Sequence, residues 1–516
     1  MLKKHPFHFV LFSIYPVIAL FTSVGWGPHC IAVDNLFWPI MVNLIISSIV
    51  LALFCAFNRR LSASAIYSSI FIVWFYNFGI VSEALGGLRV GQYILGREGW
   101  LPSLWLLLLF ASWFTAYKII KSGKQSILDY FFNMMAIVLV SIQLLLCFSG
   151  YLSEVKANIK ANGFMANERR SLSRCQTIKN NDHSTPDIYF IILDAYTNNQ
   201  SLRELFGYDN SAFLNELRRR GFFVAEKGIS NYPMTVLSLP STLNMRYLDE
   251  MPKLFGRYSQ NVSLLCQIWK KNEVKSLLKA KGYETIDNCN SVWFKPDRSE
   301  IERLSFVSKI FSNGYYMALL KKTVLLPWSK RLEFHVYREQ TFSAFLDLEK
   351  VDNKLTPRFY YVHIFCPHGP FAFCPNEKNA AKGYIGQIQF INKKVLAAID
   401  RIKGQAKIPP IIIIQGDHGA CYGVNWNSKE LPNRKYIAPQ YGILNAMYLP
   451  GKNINFLPDN LSSVNTFRVI MNLYFGGHYP LLKNKHYYAM YPEPFNYHDV
   501  TGLVERFNLS IGQKAR

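Results

Sequence analysis

The chain has 516 residues, a mean hydropathy of +0.06 and a formal net charge of +23, from 57 Lys and Arg against 34 Asp and Glu. This length predicts two or more regions. No basic segment carries the interleaved arginines and aromatic residues typical of nucleic-acid binding. We therefore attribute the charge to membrane-helix flanks, a basic surface and attraction to an anionic bilayer. No C-x-x-C pair occurs among the nine cysteines, which argues against a zinc ribbon or a thioredoxin-type site.

Five apolar stretches before residue 152 approach the length of a membrane-crossing helix, which is about 20 residues. They cover residues 7–26, 37–57, 64–82, 100–120 and 127–150. The third stretch is the most polar, so an arrangement with four spans stays open. The first could instead be a cleaved signal peptide, but it lacks a convincing small-x-small cleavage site, and we interpret it as an anchor.

Positive charge concentrates on alternate loops: before the first span, between the second and third, and between the fourth and fifth. The residues are Lys3, Lys4, Arg59, Arg60, Lys118, Lys121 and Lys124. The positive-inside rule assigns such loops to the cytoplasm. With five spans, everything after residue 152 is then expected outside the cytoplasm.

The composition changes after the last apolar stretch. Residues 152–186 are polar and mixed in charge, with little periodicity, and they predict a juxtamembrane linker. The predicted organisation is therefore a five-helix transmembrane anchor over residues 1–151, a linker over 152–186 and an exported domain over 187–516.

The exported region alternates between two kinds of pattern. Near-continuous apolar runs at 187–196, 359–365 and 409–419, with a shorter one at 445–451, predict strands buried on both faces. Helical patterns lie between them, at 211–220, 263–281, 384–402 and 465–475. This alternation predicts an α/β fold with a mostly parallel sheet between helices. The aromatic and helical segment 299–350 does not fit it; we expect an insertion that packs against the membrane region or shapes the substrate cleft.

Acidic and imidazole side chains follow the predicted strands. Asp194 ends the first run, His363 and His368 end or follow the second, and Asp417 and His418 end the third. In α/β sheets, ligands bind beyond the carboxyl ends of the strands. The alternative is that Asp417 caps the next helix and His418 faces solvent. Because an ionised carboxylate at the end of a buried strand is costly unless it is paired or metal-bound, we favour a divalent cation site.

A candidate nucleophile lies in the segment 231–244, which carries four Ser and Thr side chains: Thr235, Ser238, Ser241 and Thr242. An alcohol becomes a good nucleophile at neutral pH when a cation stabilises its alkoxide. The alternative is that these residues begin or line a helix. From these residues alone, Thr235 is one of four possibilities.

The order of four motifs resembles the alkaline phosphatase and sulfatase superfamily: LDAY at Asp194, T-x-x-S-x-P at Thr235, HGPF at His368 and GDHG at Asp417. Within it, the chain is most similar to the five-span phosphoethanolamine transferases and lipoteichoic acid synthases, over residues 186 to about 490. The resemblance implies that Asp194, Asp417, His418 and the Thr235 oxygen hold the metal. It also implies that Thr235 is the nucleophile and that His368 acts on the substrate phosphate or helps to hold a second cation.

His363, five residues before His368, is a weaker substrate candidate, and a lone His at a strand end is as often structural as functional. Mixed carboxylate and imidazole ligands favour zinc or manganese. The sequence also departs from the family. The C-x-P-x-R or S-x-P-x-R signature of formylglycine sulfatases does not occur, the first ligand is Asp rather than Glu, and the Cys residues flanking the Thr loop of the transferases are absent. These departures disfavour formylglycine chemistry and leave the donor open.

The resemblance implies an enzyme of the inner membrane with a periplasmic catalytic domain. Its expected reaction moves a phosphoethanolamine or phosphoglycerol headgroup from a phospholipid to an envelope glycan or lipid, through a phospho-Thr intermediate. Two alternatives stay open: a phosphate- or sulfate-ester hydrolase of the same superfamily, and a non-catalytic membrane binding module.

Overall fold

The structure is a computed structural model that describes residues 5–24, 33–86, 88–90, 93–94, 100–172, 185–289, 304–348, 356–374, 379–421, 423–425 and 430–512. It divides into two compact units. The first, the helical unit, comprises Met1–Val155 and Ile310–Glu333, and the second, the sheet unit, comprises Lys156–Lys309 and Phe334–Arg516. The predicted limits of anchor, linker and exported domain stay predictions.

The helices, in chain order, are α1 His8–Val24, α2 Phe37–Asn58, α3 Leu61–Leu85, α4 Trp100–Lys121, α5 Gln125–Leu172, α6 Asn199–Phe206, α7 Ser211–Arg219, α8 Thr235–Leu243, α9 Met251–Phe255, α10 Ser263–Lys270, α11 Glu273–Ala280, α12 Phe306–Phe311, α13 Gly314–Lys321, α14 Leu326–Leu348, α15 Ala380–Gln405, α16 Arg434–Ile437, α17 Thr466–Phe475 and α18 Thr501–Gly512. The strands are β1 Arg89–Val90, β2 Tyr93–Ile94, β3 Ile188–Leu193, β4 Phe223–Val224, β5 Glu284–Cys289, β6 Arg358–Ile364, β7 Ile411–Gly416, β8 Asn445–Tyr448, β9 Tyr487–Met490 and β10 Glu493–Asp499.

Helices α1 to α5 cover the described parts of the five predicted apolar stretches, apart from Phe7, and residues 25–26 of the first stretch lie outside the described residues. Among the described residues, four segments are long and apolar enough to cross a membrane: α2, α3, α4 and the part of α5 from Gln125 to Ser153. Helix α1 is apolar but shorter, at 17 residues. Helix α5 continues to Leu172, so the first part of the predicted linker is helical.

Part of the insertion 299–350 belongs to the helical unit. The Tyr315 hydroxyl donates a hydrogen bond to the Val17 carbonyl at 2.5 Å, and Val324 N donates to the Phe75 carbonyl at 3.0 Å. Gly79 N donates to the Lys322 carbonyl at 3.0 Å. The sequence left two alternatives for this insertion, packing against the membrane region or shaping the substrate cleft. Residues 310–333 pack against the apolar helices.

The sheet unit is built on six strands in the order β4-β8-β7-β3-β6-β5. Strand β3 pairs in parallel with both β6 and β7, and β5 pairs in parallel with β6. Strand β8 runs antiparallel to β7 and to β4. The predicted α/β fold with a mostly parallel sheet is confirmed. The four predicted apolar runs are β3, β6, β7 and β8.

Strand β3 lies at the centre of this sheet, and its six residues are all buried. Ile191 and Leu193 belong to the hydrophobic cluster on one face, and Phe190 and Ile192 belong to the cluster on the other. Side chains alternate between faces along a strand, so a strand covered on both faces needs an uninterrupted apolar run. The parallel register brings the carboxyl ends of β3, β6 and β7 to one edge, where the candidate site lies.

Candidate active site

The two predicted metal-binding carboxylates meet because β3 and β7 end side by side. Leu193 is paired with Gly416, so Asp194 and Asp417 are the next residues on neighbouring strands. Ala195 N donates a hydrogen bond to Asp417 Oδ1 at 3.0 Å. Ala195 has φ +59°, a left-handed conformation that costs a residue with a Cβ about 1–2 kcal/mol. Backbone strain of this kind concentrates at functional sites.

The glycines around the Asp417-His418 pair allow close approach of neighbouring backbone. A Cβ on Gly416 would lie 2.4 Å from the Tyr196 carbonyl oxygen. A Cβ on Gly419 would lie 2.4 Å from the Pro439 carbonyl oxygen, and Gly419 N donates to the Gln440 carbonyl at 2.6 Å. These glycines therefore let two segments pack onto the site, and neither has a positive φ.

Three predicted ligands converge. Ligand atoms of Asp194, Asp417 and His418 all lie within 4.8 Å of one another, and the three residues are buried. His418 Nε2 is 3.7 Å from Asp194 Oδ1 and 3.6 Å from Asp417 Oδ2. Two ligands that bind one zinc tetrahedrally, at about 2.0–2.2 Å each, are separated by about 3.4 Å. The spacing therefore matches that of ligands sharing one cation.

The polar atoms around the cluster also fit a divalent cation. Asp194 Oδ1 is buried and has no hydrogen-bond partner among the described residues. His418 Nδ1 lies 2.9 Å from the Gly419 carbonyl oxygen, a contact that puts a proton on Nδ1, and Nε2 faces the two carboxylates. A backbone carbonyl commonly orients a metal-binding His in this way. A buried, unsatisfied carboxylate oxygen is costly, and a bound cation would satisfy it.

The structure distinguishes the four Ser and Thr hydroxyls of the 231–244 segment. Thr235 is the first residue of α8, and its Oγ1 donates to Asp417 Oδ2 at 2.6 Å. Ser238 Oγ donates to the Asp417 backbone carbonyl at 2.6 Å, and Ser241 Oγ donates to the Arg246 carbonyl at 2.6 Å. Thr242 Oγ1 is buried without a partner among the described residues. Among the four, Thr235 is the hydroxyl that bonds a carboxylate of the cluster.

The two histidines of the 363–368 segment lie in different environments. His363, on β6, is buried with its Nε2 3.0 Å from Asp194 Oδ2. His368 is half-buried in the loop after β6, and its backbone N donates to the Asp194 carbonyl at 3.1 Å. The ring centroids of His368 and His418 are 6.5 Å apart. His368 is therefore next to the cluster with its ring partly open to solvent.

Two residues that the sequence analysis did not single out hold the His368 loop. The Tyr337 hydroxyl lies within hydrogen-bond distance of the carbonyl oxygens of Phe365 and of His368, the latter at 2.8 Å. Gln387 Nε2 donates to the carbonyl oxygens of Pro367 and His368, each at 2.9 Å. Both lie on helices, α14 and α15, where no motif marks them. Their role depends on tertiary packing, which local sequence does not carry.

Cys421, which no sequence motif marks, also lies beside the cluster. Its Sγ lies 3.5 Å from His418 Nδ1. The residue follows GDHG, but a single cysteine at that spacing carries no recognised signal.

The charges of the cluster shift its pKa values. Burial raises the pKa of Asp194, but the hydrogen bond from His363 and the imidazoles of His368, His363 and His418 outweigh it and hold that pKa below its usual value. Burial lowers the pKa of His418, but the Asp417 carboxylate, the Cys421 thiol and the Asp194 carboxylate raise it well above its usual value. The cluster thus attracts positive charge strongly.

No model of a known protein family matches the chain, and no curated protein matches it. Solved structures do. The C-terminal periplasmic domain of EptC from Escherichia coli, in complex with Zn, is 12% identical over 62% of this chain and 94% of that chain, with a TM-score of 0.40. The integral membrane protein lipooligosaccharide phosphoethanolamine transferase A from Neisseria meningitidis is 13% identical over 86% of this chain and 88% of that chain, with a TM-score of 0.32. The lipoteichoic acid synthase LtaP from Listeria monocytogenes is 14% identical over 60% of this chain and 80% of that chain, with a TM-score of 0.37. Phosphoethanolamine transferases and lipoteichoic acid synthases are also the proteins that the sequence motifs resemble.

Proposed function

We propose that this protein is a membrane-anchored, metal-dependent phosphotransferase with Thr235 as its nucleophile. The observation that carries the proposal is the 2.6 Å hydrogen bond from Thr235 Oγ1 to Asp417 Oδ2, beside Asp194 and His418. This arrangement places a hydroxyl against two carboxylates and an imidazole at the end of a parallel sheet, where such folds bind their ligands.

The ligand set of Asp194, Asp417, His418 and the Thr235 oxygen suits zinc or manganese, because it mixes carboxylate and imidazole. A divalent cation held there would lower the pKa of the Thr235 hydroxyl and neutralise negative charge on the phosphoryl group. Thr235 also begins α8, so its backbone N–H and that of Val236 have no carbonyl partner within the helix. The positive end of the helix therefore favours a phosphoryl group at Thr235.

In the first step, Thr235 Oγ1 attacks phosphorus and gives up its proton to water. The Oγ1–P bond forms, the bond from phosphorus to the lipid oxygen breaks, and protonated His368 supplies the proton that this oxygen needs. In the second step, an acceptor hydroxyl attacks phosphorus and gives its proton to His368. The Oγ1–P bond then breaks, and Thr235 regains a proton from water.

The donor in this proposal is a phospholipid whose phosphoethanolamine or phosphoglycerol headgroup is moved to an envelope glycan or lipid. The apolar helices α2 to α5 support a lipid donor, since an anchored enzyme meets headgroups at the bilayer surface. The alternating positive loops support an inner-membrane location with residues 187–516 in the periplasm. Water in place of the acceptor would make the same site a phosphate- or sulfate-ester hydrolase.

The test compares two threonines of one segment in the purified full-length protein. Thr235→Val and Thr242→Val each replace a hydroxyl by a methyl group of similar size, but Thr242 bonds no cluster residue. With headgroup-labelled phosphatidylethanolamine or phosphatidylglycerol, the wild type and Thr242→Val are expected to form a labelled Thr235 peptide, which mass spectrometry identifies. Thr235→Val is expected to form none and to lose turnover.

Two outcomes separate the alternatives. Label that passes to an added envelope glycan or lipid identifies a transferase, and label released only to water identifies a hydrolase. Turnover by Thr235→Val at the wild-type rate would contradict the assignment of the nucleophile. A wild-type protein that binds neither zinc nor manganese would favour a non-catalytic binding module.

A further inference from the structure

An aromatic groove lies on the helical unit, between the end of α2, the start of α3 and the second half of α4. Its volume is about 530 Å³. The Phe54 ring packs against Trp113 and Tyr67 with centroid distances of 5.4 and 5.5 Å, and Trp113 Nε1 donates to the Tyr67 carbonyl at 3.1 Å. The packed rings of Phe54, Tyr67 and Trp113 and this hydrogen bond fix one side of the groove.

The outer edge of the groove is aromatic and exposed. Phe57 is 86% exposed and Phe114 is 57% exposed. In a membrane these rings would meet lipid, and Tyr117, at the end of the groove, has the amphipathic character of residues at the membrane–water boundary. The groove is therefore suited to a hydrocarbon chain with a polar group at one end.

The polar end of the groove is strongly basic. Arg59 and Arg60 directly follow α2, and Lys118 and Lys121 lie in the last turn of α4. Lys118 Nζ lies 4.6 Å from the centroid of the Phe114 ring, and Lys121 Nζ lies 5.9 Å from that of Tyr117. Segments 57–62 and 117–126 contain no Asp or Glu, so these charges are not neutralised within their own loops.

The length of the groove decides between a free anion and a lipid. Along α4 the lining of the groove runs from Phe110 to Tyr117, a rise of about 10 Å at 1.5 Å per residue. The hydrocarbon core of a bilayer is about 30 Å thick, so this length covers about two thirds of one leaflet. An inorganic phosphate would occupy only the basic end, whereas a phospholipid would use both the charges and the rings.

We propose that this groove is a binding site for one anionic phospholipid, separate from the site around Thr235. One acyl chain lies along the rings of Phe57, Phe110 and Phe114, and the phosphate is held by Arg59, Lys118 and Lys121. Basic clusters at the ends of membrane helices attract anionic headgroups. The aromatic rings of the groove add a binding surface for the acyl chain, which the charged loops alone do not provide.

The test is native mass spectrometry of the purified full-length protein titrated with phosphatidylglycerol and with phosphatidylcholine of the same 16- and 18-carbon chains. The wild type is expected to bind phosphatidylglycerol at least about tenfold more tightly. The triple variant Arg59→Gln, Lys118→Gln, Lys121→Gln is expected to lose that preference. The control triple variant Lys253→Gln, Lys393→Gln, Lys407→Gln removes the same charge from exposed lysines of the sheet unit and is expected to keep it.

A second arm tests the groove itself. Phe57→Ala with Phe114→Ala is expected to weaken long-chain phosphatidylglycerol binding while leaving dioctanoyl-phosphatidylglycerol binding nearly unchanged. Ile45→Ala with Ile49→Ala, in a separate apolar groove along α2, is the matched control. Equal losses in the two charge variants, or in the two groove variants, would overturn the proposal. Competition by glycerol 3-phosphate as strong as that by the lipid would overturn it too.

Discussion

His363 Nε2 lies 3.0 Å from Asp194 Oδ2, and each side chain is 1% exposed. The contact follows from sheet register, because His363 on β6 is paired with Ile192 on β3, two residues before Asp194. It uses one carboxylate oxygen of Asp194 and leaves Oδ1 directed at His418 Nε2, 3.7 Å away. The expected contact of His363 with substrate stays a prediction, and its position supports a second role, which is to orient Asp194.

His363→Gln is therefore expected to weaken metal binding by about 10- to 100-fold, the usual effect of removing a residue that orients a ligand. Chelator competition with zinc or manganese measures the affinity. Excess metal should restore turnover in this variant, because the reacting groups are intact. His478→Gln, at an exposed position, is the control. If His363→Gln loses turnover with unchanged metal affinity, a direct contact with substrate is the better account.

Asp194→Asn is expected to abolish stabilisation by metal. A cation that binds only the folded protein stabilises it by about 2.7 kcal/mol at 100 times its Kd, so the thermal midpoint of the wild type should rise with added zinc or manganese. The amide keeps the size of the carboxylate but removes the charge that pairs with the cation. Scanning calorimetry with and without metal measures both midpoints. A rise in Asp194→Asn equal to that in the wild type would remove Asp194 from the ligand set.

The parts of this fold that were predictable are those in which burial dictates sequence. Strands β3, β6 and β7 are covered on both faces, so each appears as an apolar run, and the strand-end rule then brings Asp194 and Asp417 together. Strand β5 was not predicted, because its sequence ETIDNC has no such run. The antiparallel direction of β8 was not predicted either, because apolar content does not encode direction.

The sequence alone does not distinguish the four Ser and Thr hydroxyls, because their contacts depend on how α8 packs in the fold. Thr235 and Thr242 lie at opposite ends of α8, and the start of that helix at Thr235 directs one of them at Asp417. Tertiary packing determines where a helix docks, and the spacing of residue types along the sequence does not reveal it. The same limit applies to Tyr337 and to Gln387, whose partners on the His368 loop are 31 and 19 residues away.

Gly416→Ala is expected to destabilise the protein and weaken metal binding together. Its Cβ would lie 2.4 Å from the Tyr196 carbonyl oxygen, so the backbone beside Asp417 has to move. Gly404→Ala is the control, because Gly404 lies in the last turn of α15 with nothing within 4 Å of a Cβ. That change should leave both the thermal midpoint and metal binding nearly unchanged. Thermal midpoints and chelator titrations measure both effects, and a Gly416→Ala protein with wild-type metal affinity would contradict the argument.

A buried histidine outside the site links stability to pH. His486 is 0% exposed, and its Nδ1 lies 2.8 Å from the Ser230 carbonyl oxygen. Its Nε2 is buried without a hydrogen-bond partner among the described residues. Burial lowers the pKa of His486 from 6.5 to about 4, against the smaller opposing effects of the Ser230 hydrogen bond and the Asp499 charge. The fold therefore holds this imidazole neutral.

The pH dependence of stability follows from the two pKa values of His486, 6.5 in the unfolded chain and about 4 in the folded chain. Between pH 6.5 and pH 4 the unfolded chain binds a proton at His486 that the folded chain does not, so stability falls as the pH falls through this window, by about 3 kcal/mol at most. His486→Asn does not titrate there and keeps an N–H for the Ser230 carbonyl. The thermal midpoint of the variant should therefore fall less than that of the wild type between pH 6.5 and pH 4. His478→Asn, at an exposed position, should follow the wild type. Parallel curves for the wild type and His486→Asn would show that the buried imidazole is not the group responsible.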